Sequence, residues 1–226
     1  MVMHRQIDSG MSQLYRLLMR MAGFVEQAIE ASTDGWRLPS TARVREVYEI
    51  EKLVNQAHIE VDDACVKILA LQSPMAADLR SVIGIIKINS DLERMTDLAV
   101  NIANNTEYFL RTPPAYPTVD LSDMADETRL MVREVLNAFV TADGAAARKV
   151  LHRDDRVDAY KRKIVTDTLK QMQTQPTVVE QGMNIIFIAK NLERIGDHAT
   201  NIAEDIIFMS SGEDIRHSQG EGHGNE

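Results

Sequence analysis

The sequence predicts an all-α fold of two tandem three-helix bundles, related by internal duplication and containing six helices in total. The first observation is a repeat, because the segment Leu92–Ala103 returns 100 residues later as Leu192–Ala203 with Leu-Glu-Arg, Asp and Asn-Ile-Ala retained. The second is apolar residues spaced three and four apart, which is typical of helices packed in a bundle. The third is an aromatic content of only 5%, which favours helix packing over sheet.

Three helices are predicted in the first bundle, which spans residues 9–111. Their approximate ranges are Ser9–Ala31, Thr41–Leu71 and Pro74–Leu110. The first helix is expected to end before Gly35 and Pro39, because glycine and proline favour turns. Ser73 and Pro74 predict the start of the third helix, since serine is a common N-cap and proline fits the first helical position.

A proline-rich linker at residues 112–121 is expected to separate this bundle from a second bundle at residues 122–209. Pro113, Pro114 and Pro117 disfavour a helix in the linker. The second half repeats the plan with helices at about Ser122–Thr141, Ala145–Gln173 and Pro176–Met209. Residues 210–226 are rich in glycine and polar residues, which predicts a disordered tail.

Each copy of the repeat carries a polar stripe whose members are spaced four residues apart. The two stripes are Glu93, Asp97 and Asn101, and Glu193, Asp197 and Asn201. Four residues is close to one helical turn, so two carboxylates and an amide oxygen share one helix face. Such oxygen ligands suit a hard or borderline cation. A helical wheel places the stripe opposite the apolar seam, which predicts a site on the bundle surface.

A solvated helix face is the ordinary interpretation of such a stripe. The comparison of the two copies favours a functional one, because positions expected to point outward differ while the Glu, Arg, Asp and Asn are kept. The differing pairs are Thr96 with Gly196, Leu98 with His198, Val100 with Thr200, and Asn89 with Ala189. Like charges four residues apart also repel, and a bound cation would convert that cost into affinity.

The neighbouring helices supply matching polar residues. Asp154 and Asp158 stand four apart on the fifth helix, and Glu51 and Asn55 occupy the corresponding positions on the second. Each bundle is therefore expected to bring two acidic faces together. The first-half site is predicted to bind more weakly, because Asn55 is neutral. His198 is expected to make a local hydrogen bond or cap rather than bind metal.

Composition and missing motifs narrow the classes of function. The net charge of −9 argues against nucleic acid as a partner and suits cations or basic protein surfaces. The single cysteine, Cys65, excludes an intrachain disulfide and is expected to be a buried inert thiol. The sequence contains no apolar run long enough for a signal peptide or a membrane span, so we expect a soluble cytoplasmic protein. Glu-x-x-His pairs, phosphate-binding glycine loops and nucleophile turns are missing, which favours a binding or adaptor protein over an enzyme.

The paired Leu-Glu-Arg-x-x-Asp-x-x-x-Asn-Ile-Ala motifs, the segment Gln72–Arg80 and the two-bundle plan resemble the PhoU family across about Met11–Met209. The resemblance implies two tandem three-helix bundles, with multinuclear iron or zinc clusters on the bundle surfaces of some members. The family's ligand motif is Glu or Asp, three residues, then Asp. It falls here on three pairs: Glu93 and Asp97, Glu193 and Asp197, and Asp154 and Asp158. Asn55 departs from the motif.

The same resemblance implies a role in phosphate homeostasis. PhoU-like proteins are negative regulators of phosphate-starvation signalling and of phosphate uptake. They are thought to act as cytoplasmic dimers that link the ATPase of the phosphate ABC transporter to a sensor histidine kinase, reaching the membrane only through these partners. Magnesium or manganese remains an alternative to iron or zinc, and no organic cofactor is implied. Two other functions stay open, a carboxylate metal-cluster enzyme and an interaction scaffold that needs no metal.

Overall fold

A computed structural model of the 226-residue chain describes residues 6–38, 40–111, 119–213 and 215. The described part of the chain forms seven α-helices and a 3-10 turn, and it contains no strand. The helices are α1 (Gln6–Arg37), α2 (Thr41–Gln72), α3 (Ala77–Arg111), α4 (Ser122–Thr141), α5 (Gly144–Leu151), α6 (Asp154–Thr174) and α7 (Val179–Ser211), with the 3-10 turn at Pro176–Val178. The predicted all-α class is confirmed. No described helix combines the length and the apolar character that a membrane crossing requires.

The helices form two bundles, as predicted. The first contains α1, α2 and α3, and the second contains α4, α6 and α7, with the short α5 packed against α4 and α7. The apolar residues spaced three and four apart form one seam on α3, from Ile85 to Ile102, and another on α7, from Ile185 to Ile206, and both seams are buried as the spacing predicts. Cys65 is buried in the first bundle, and burial raises the pKa of its thiol to about 12.

The two bundles join through α3 and α7, which pack against each other in antiparallel orientation. Four contacts show the orientation, because residue numbers rise along α3 while those of their partners on α7 fall. They are Gly84 with Met209, Lys87 with Asp205, Asp91 with His198, and Tyr108 with Glu180. Each of these two helices therefore buries one face in its own bundle and a second face against the other bundle.

A second contact between the bundles joins α1 to α4 and is made of charged side chains. Arg129 on α4 donates to Glu30 at 2.9 Å and to Asp34 at 3.2 Å, while Arg37 on α1 donates to Asp126 at 2.9 Å. Ion pairs thus occur at both contacts between the bundles, since α3 and α7 are also joined by the pair of Lys87 with Asp205.

The predicted end of the first helix is wrong, because α1 continues through Gly35 to Arg37. The backbone N–H of Leu38 still donates to the Asp34 carbonyl at 2.9 Å, so the helical bonding extends past Gly35. Trp36 then packs edge-on against Phe109 of α3, with ring centroids 4.9 Å apart. Tertiary packing thus outweighs the modest helix penalty of one glycine.

The predicted start of the third helix is also wrong. Ser73 is not an N-cap but the C-cap of α2, with a left-handed φ of 45°, and α3 begins only at Ala77. Ala76 has a φ of 47° as well. The chain reverses direction through these two residues, and Pro74 disfavours the helical conformation at the residue before it.

The predicted fifth helix is divided into α5 and α6, with the break at His152 and Arg153. The Arg153 guanidinium donates to Glu134 at 2.6 Å and to Glu127 at 2.8 Å, both on α4. Glu127 is buried, so this charge-assisted contact is well shielded from solvent. Arg153, which directly precedes α6, therefore anchors the start of that helix against α4.

The predicted linker and tail are only partly described. Residues 112–118 lie outside the described residues, and residues 119–121 are not helical. At the other end α7 continues to Ser211, beyond the predicted limit at Met209. Ile215 is buried against the core, which differs from the predicted disordered tail, and residues 214 and 216–226 lie outside the described part of the chain.

Candidate metal centre

The second bundle brings the predicted acidic residues of α6 and α7 together. Asp154 and Asp158 on α6 face Glu193 and Asp197 on α7. Gly196 lies against this face, and an added Cβ would be in ordinary van der Waals contact with Asp154 Oδ1, at 3.5 Å. That oxygen is buried and has no hydrogen-bond partner, which is unusual for a carboxylate.

The electrostatics of this face reflect the crowding of negative charge. Asp154 lies in the first turn of α6, where the helix dipole favours a carboxylate. Burial nevertheless raises its pKa to about 6, with further contributions from the charges of Asp197 and Asp158. Burial and the charges of Glu193 and Asp158 likewise raise the pKa of Asp197. Desolvation and repulsion between the carboxylates therefore outweigh the helix dipole at Asp154.

Lys161 is the residue of this face that sequence reasoning missed. Its Nζ donates to Glu193 Oε1 at 2.6 Å, and the Glu193 side chain is only 17% exposed. The hydrogen bond to Glu193 raises the pKa of Lys161, so the ammonium is charged at neutral pH. A signal was available, because Lys161 follows Asp158 by three residues and therefore lies on the same side of α6.

The first bundle places Glu51 and Asn55 of α2 beside the helix that carries Glu93 and Asp97. Glu51 and Glu93 are half-buried, whereas Asn55 and Asp97 are exposed. Within the described residues no ion pair involves Glu93 or Asp97, in contrast to Glu193. This face thus has three carboxylates and no lysine among them.

The donor set of the second face fits a hard or borderline divalent cation, because four carboxylates from two helices lie together and one buried oxygen has no partner. In the conformation described, however, no three acidic, histidine or cysteine side chains among the described residues converge as a metal site. Binding a metal would therefore require the carboxylates to rotate and Glu193 to release Lys161.

The third members of the two stripes are not brought to these faces in the same way. Asn201 donates to Asp91 Oδ1 on α3 at 3.4 Å, so it contacts the other bundle. Asn101 is exposed, and its carbonyl oxygen accepts a hydrogen bond from the Asn105 side chain. Each four-residue step advances about 40° around a helix, so the third member lies about 80° from the first.

His198 does not have the predicted local role. Its Nδ1 lies 2.7 Å from Asp91 Oδ1, and the two side chains are 14% and 15% exposed. The contact crosses between the bundles, since Asp91 is on α3 and His198 on α7. The position matching His198 in the first copy is Leu98, which is buried, so this polar pair occurs on one side of the duplication only.

The expectation about the varying positions also needs correction. Asn89, Thr96 and Leu98 are buried rather than outward, as are Ala189 and Gly196. Their partners differ between the copies, since Asn89 donates to His58 and Asp62 on α2, whereas Gly196 lies against Asp154 and Val157 on α6. Arg94, Asp97 and Asn101 are exposed and are nevertheless identical in the second copy. Packing therefore does not explain their retention.

Comparisons with known proteins identify similar sequences along nearly the whole chain. Residues 18–106 and 121–206 each match the PhoU domain. The chain is 32% identical over 216 residues to the phosphate-specific transport system accessory protein PhoU homolog of Pseudomonas aeruginosa, covering 94% of this chain and 88% of that one. It is 30% identical over 216 residues to the accessory protein PhoU of Escherichia coli, covering 96% and 90%.

Solved structures show the same fold. The crystal structure of PhoU from Pseudomonas aeruginosa superposes with a TM-score of 0.88 at 31% identity, covering 92% of this chain and all of that one. The phosphate transport system regulatory protein PhoU from Streptococcus pneumoniae gives a TM-score of 0.86 at 23% identity, covering 92% and 99%. The second likeness concerns the fold alone.

Proposed function

The chain belongs to the PhoU family, and from this membership we propose that it regulates phosphate transport as a non-enzymatic accessory protein. The observation that carries the proposal is that both bundles match the PhoU domain separately. Relatives with 30–32% identity over most of their length are named accessory proteins of the phosphate-specific transport system. The absence of recognisable catalytic motifs in the sequence supports an accessory role over an enzymatic one.

In its finer form, the proposal is a negative regulator of the phosphate-starvation response and of phosphate uptake. The chain would act in the cytoplasm as a homodimeric adaptor between the ATPase of the phosphate ABC transporter and a phosphate-sensing histidine kinase. The net charge of −9 supports binding to basic protein surfaces and disfavours nucleic acid. The membrane would be reached only through these partners.

Deletion of the gene tests the regulatory role. A phosphate-starvation reporter should become active in phosphate-rich medium, and a plasmid copy of the intact chain should silence it again. A reporter that stays silent after deletion would overturn the regulatory proposal. Co-purification from phosphate-replete cells tests the adaptor role separately, and recovery of neither the ATPase nor the kinase would overturn it.

The metal-binding part of the proposal concerns the two acidic faces. Asp154, Asp158, Glu193 and Asp197 would hold the metal of the second bundle. Glu51, Asn55, Glu93 and Asp97 would hold that of the first. Iron or zinc is the first choice, with magnesium or manganese as alternatives, and the chemistry supplied is charge neutralisation between paired helices. The buried, unpartnered oxygen of Asp154 supports this assignment.

A scaffold that needs no metal is the second candidate function. The ion pair between Lys161 and Glu193 favours it, because the chain itself then supplies a cation to the acidic face. Binding of the transporter ATPase after full chelation separates the two candidates. Complete loss of binding would exclude the scaffold, and unchanged binding would show that the adaptor role does not depend on metal.

A further inference from the structure

We propose that Lys161 sets the metal affinity of the second acidic face, acting as a tethered counter-cation that a divalent metal ion must displace from Glu193. The second acidic face means Asp154, Asp158, Glu193 and Asp197. The inference rests on the proposed metal binding of that face and adds the residue that controls it.

The geometry of the ion pair is the first step. Lys161 Nζ lies 2.6 Å from Glu193 Oε1, and the Lys161 side chain is two-thirds buried at 33% exposure. A metal ion that uses Glu193 as a ligand therefore competes with a donor already bound to it. The competitor is attached to α6, so its local concentration does not fall on dilution.

The position of Lys161 relative to the other carboxylates is the second step. On α6, Asp158 lies one turn before Lys161. On α7, Asp197 lies one turn after Glu193. The same ammonium also interacts electrostatically with Glu193, Asp158 and Asp197. A single side chain thus offsets repulsion among three of the four acids. The buried Oδ1 of Asp154, the fourth acid, has no hydrogen-bond partner, so a metal ion that displaces Lys161 could also take this oxygen as a ligand.

The first bundle provides a natural comparison. Counting carboxylates alone gives four charges on the second face and three on the first, since Asn55 is neutral. With the ammonium of Lys161 included, the second face has a net charge of −3, which equals that of the first face. The position matching Lys161 on α2 is His58, whose Nε2 is directed to Asp62 at 3.5 Å instead of to the glutamate on α3. The tethered cation is therefore specific to the second bundle.

The test measures Mn²⁺ binding to full-length protein by titration calorimetry after chelator treatment. A Glu93→Gln, Asp97→Asn background removes the first face, so only the second face is observed. Lys161→Met removes the ammonium and keeps the length of the side chain. Lys163→Met is the matched control, because Lys163 is an exposed lysine on the same helix.

Lys161→Met should bind Mn²⁺ about ten-fold more tightly than its background, and Lys163→Met should leave the affinity unchanged. Equal affinity in the Lys161→Met variant and the background would overturn the role of Lys161 while leaving metal binding intact. Absence of Mn²⁺ binding in every variant would overturn the metal proposal itself. Circular dichroism of Lys161→Met at each metal concentration shows that the fold is retained. If metal-free Lys161→Met melts at a lower temperature than its background but binds Mn²⁺ no more tightly, the ion pair is purely structural and the inference is overturned.

Discussion

His198 on α7 contacts Asp91 on α3 through a distance of 2.7 Å between Nδ1 and Oδ1, and this pair ties one bundle to the other. Both side chains are largely shielded from water. The first copy has Leu98 and the second has Asn191 at the corresponding positions, so the internal duplication does not repeat the pair. The two halves are therefore joined by an interaction that each half lacks by itself.

The first prediction concerns this pair. His198→Leu restores the residue of the first copy but leaves a shielded carboxylate of Asp91 with one partner fewer. The free energy of unfolding should fall by about 1–3 kcal/mol, which is the usual cost of an unsatisfied buried acceptor. Urea denaturation measures it, and His152→Leu, at an exposed histidine, is the control. Equal losses in both variants would show that the pair contributes nothing specific.

The second prediction concerns the pH dependence caused by Asp154. Its folded-state pKa of about 6 exceeds the ordinary value of 3.8, so between these values the folded chain holds a proton that the unfolded chain has released. Stability from this group is therefore present at low pH and is lost as the pH rises through about 6. In metal-free protein, Asp154→Asn should be more stable than the native chain at pH 7.5, by about 1 kcal/mol after allowance for solvent screening.

The check is a pair of urea titrations at pH 4 and pH 7.5 in the presence of a chelator. The stabilising effect of Asp154→Asn should shrink towards pH 4. Asp155→Asn, at an exposed aspartate one residue later, provides the control and should show a smaller effect. A gain for Asp154→Asn that is the same at both pH values would contradict the assigned cause.

The third prediction concerns metal content. Glu193→Ala with Asp197→Ala should remove the metal of the second face and lower the bound metal by at least half, since each bundle offers one face and the first is expected to bind more weakly. Protein would be incubated with iron, zinc, manganese or magnesium, desalted and analysed by atomic emission. Asp63→Ala, at an exposed acid outside both faces, should retain the full content. Unchanged content in the double variant would remove the site assignment.

The fourth prediction concerns the packing of α3 on α7. A Cβ at Gly84 would overlap the Met209 side chain, so Gly84→Val must displace that side chain from the contact between the helices. We expect the free energy of unfolding to fall by about 1–3 kcal/mol. Gly23→Val is the matched control, because no atom lies within 4 Å of a Cβ at Gly23. If both variants unfold at the same urea concentration, close contact at Gly84 is not required.

The buried seams are the part of the fold that can be predicted from the sequence. Ile85, Leu92 and Met95 lie at helical spacing and are buried, because periodicity reports a face that must avoid water. The break after Leu151 was not predicted, since it depends on Arg153 reaching Glu127 and Glu134 on another helix. No local preference separates that break from a continuous helix.

The candidate site divides in the same way. The acids of the second face could be assigned to one surface from their four-residue spacing. Lys161 was missed because its role depends on where α6 lies against α7, although it shares a face with Asp158. Asn201 was assigned to the site, yet it contacts Asp91 across the bundle interface. A stripe with four-residue spacing turns gradually around its helix, so the spacing alone does not show which neighbouring helix each of its members will contact.

The sequence by itself determined the helical class, the duplication, the two bundles and the acidic stripes, because these follow from periodicities of three to four residues and from the repeat. The tertiary structure decided the antiparallel packing of α3 on α7, the pairing of His198 with Asp91 and the presence of Lys161 at Glu193. The physical reason is that long-range contacts depend on the relative rotation of packed helices, and periodicity leaves that rotation open. Burial against a second neighbour then determines which polar groups meet and which remain accessible to a cation.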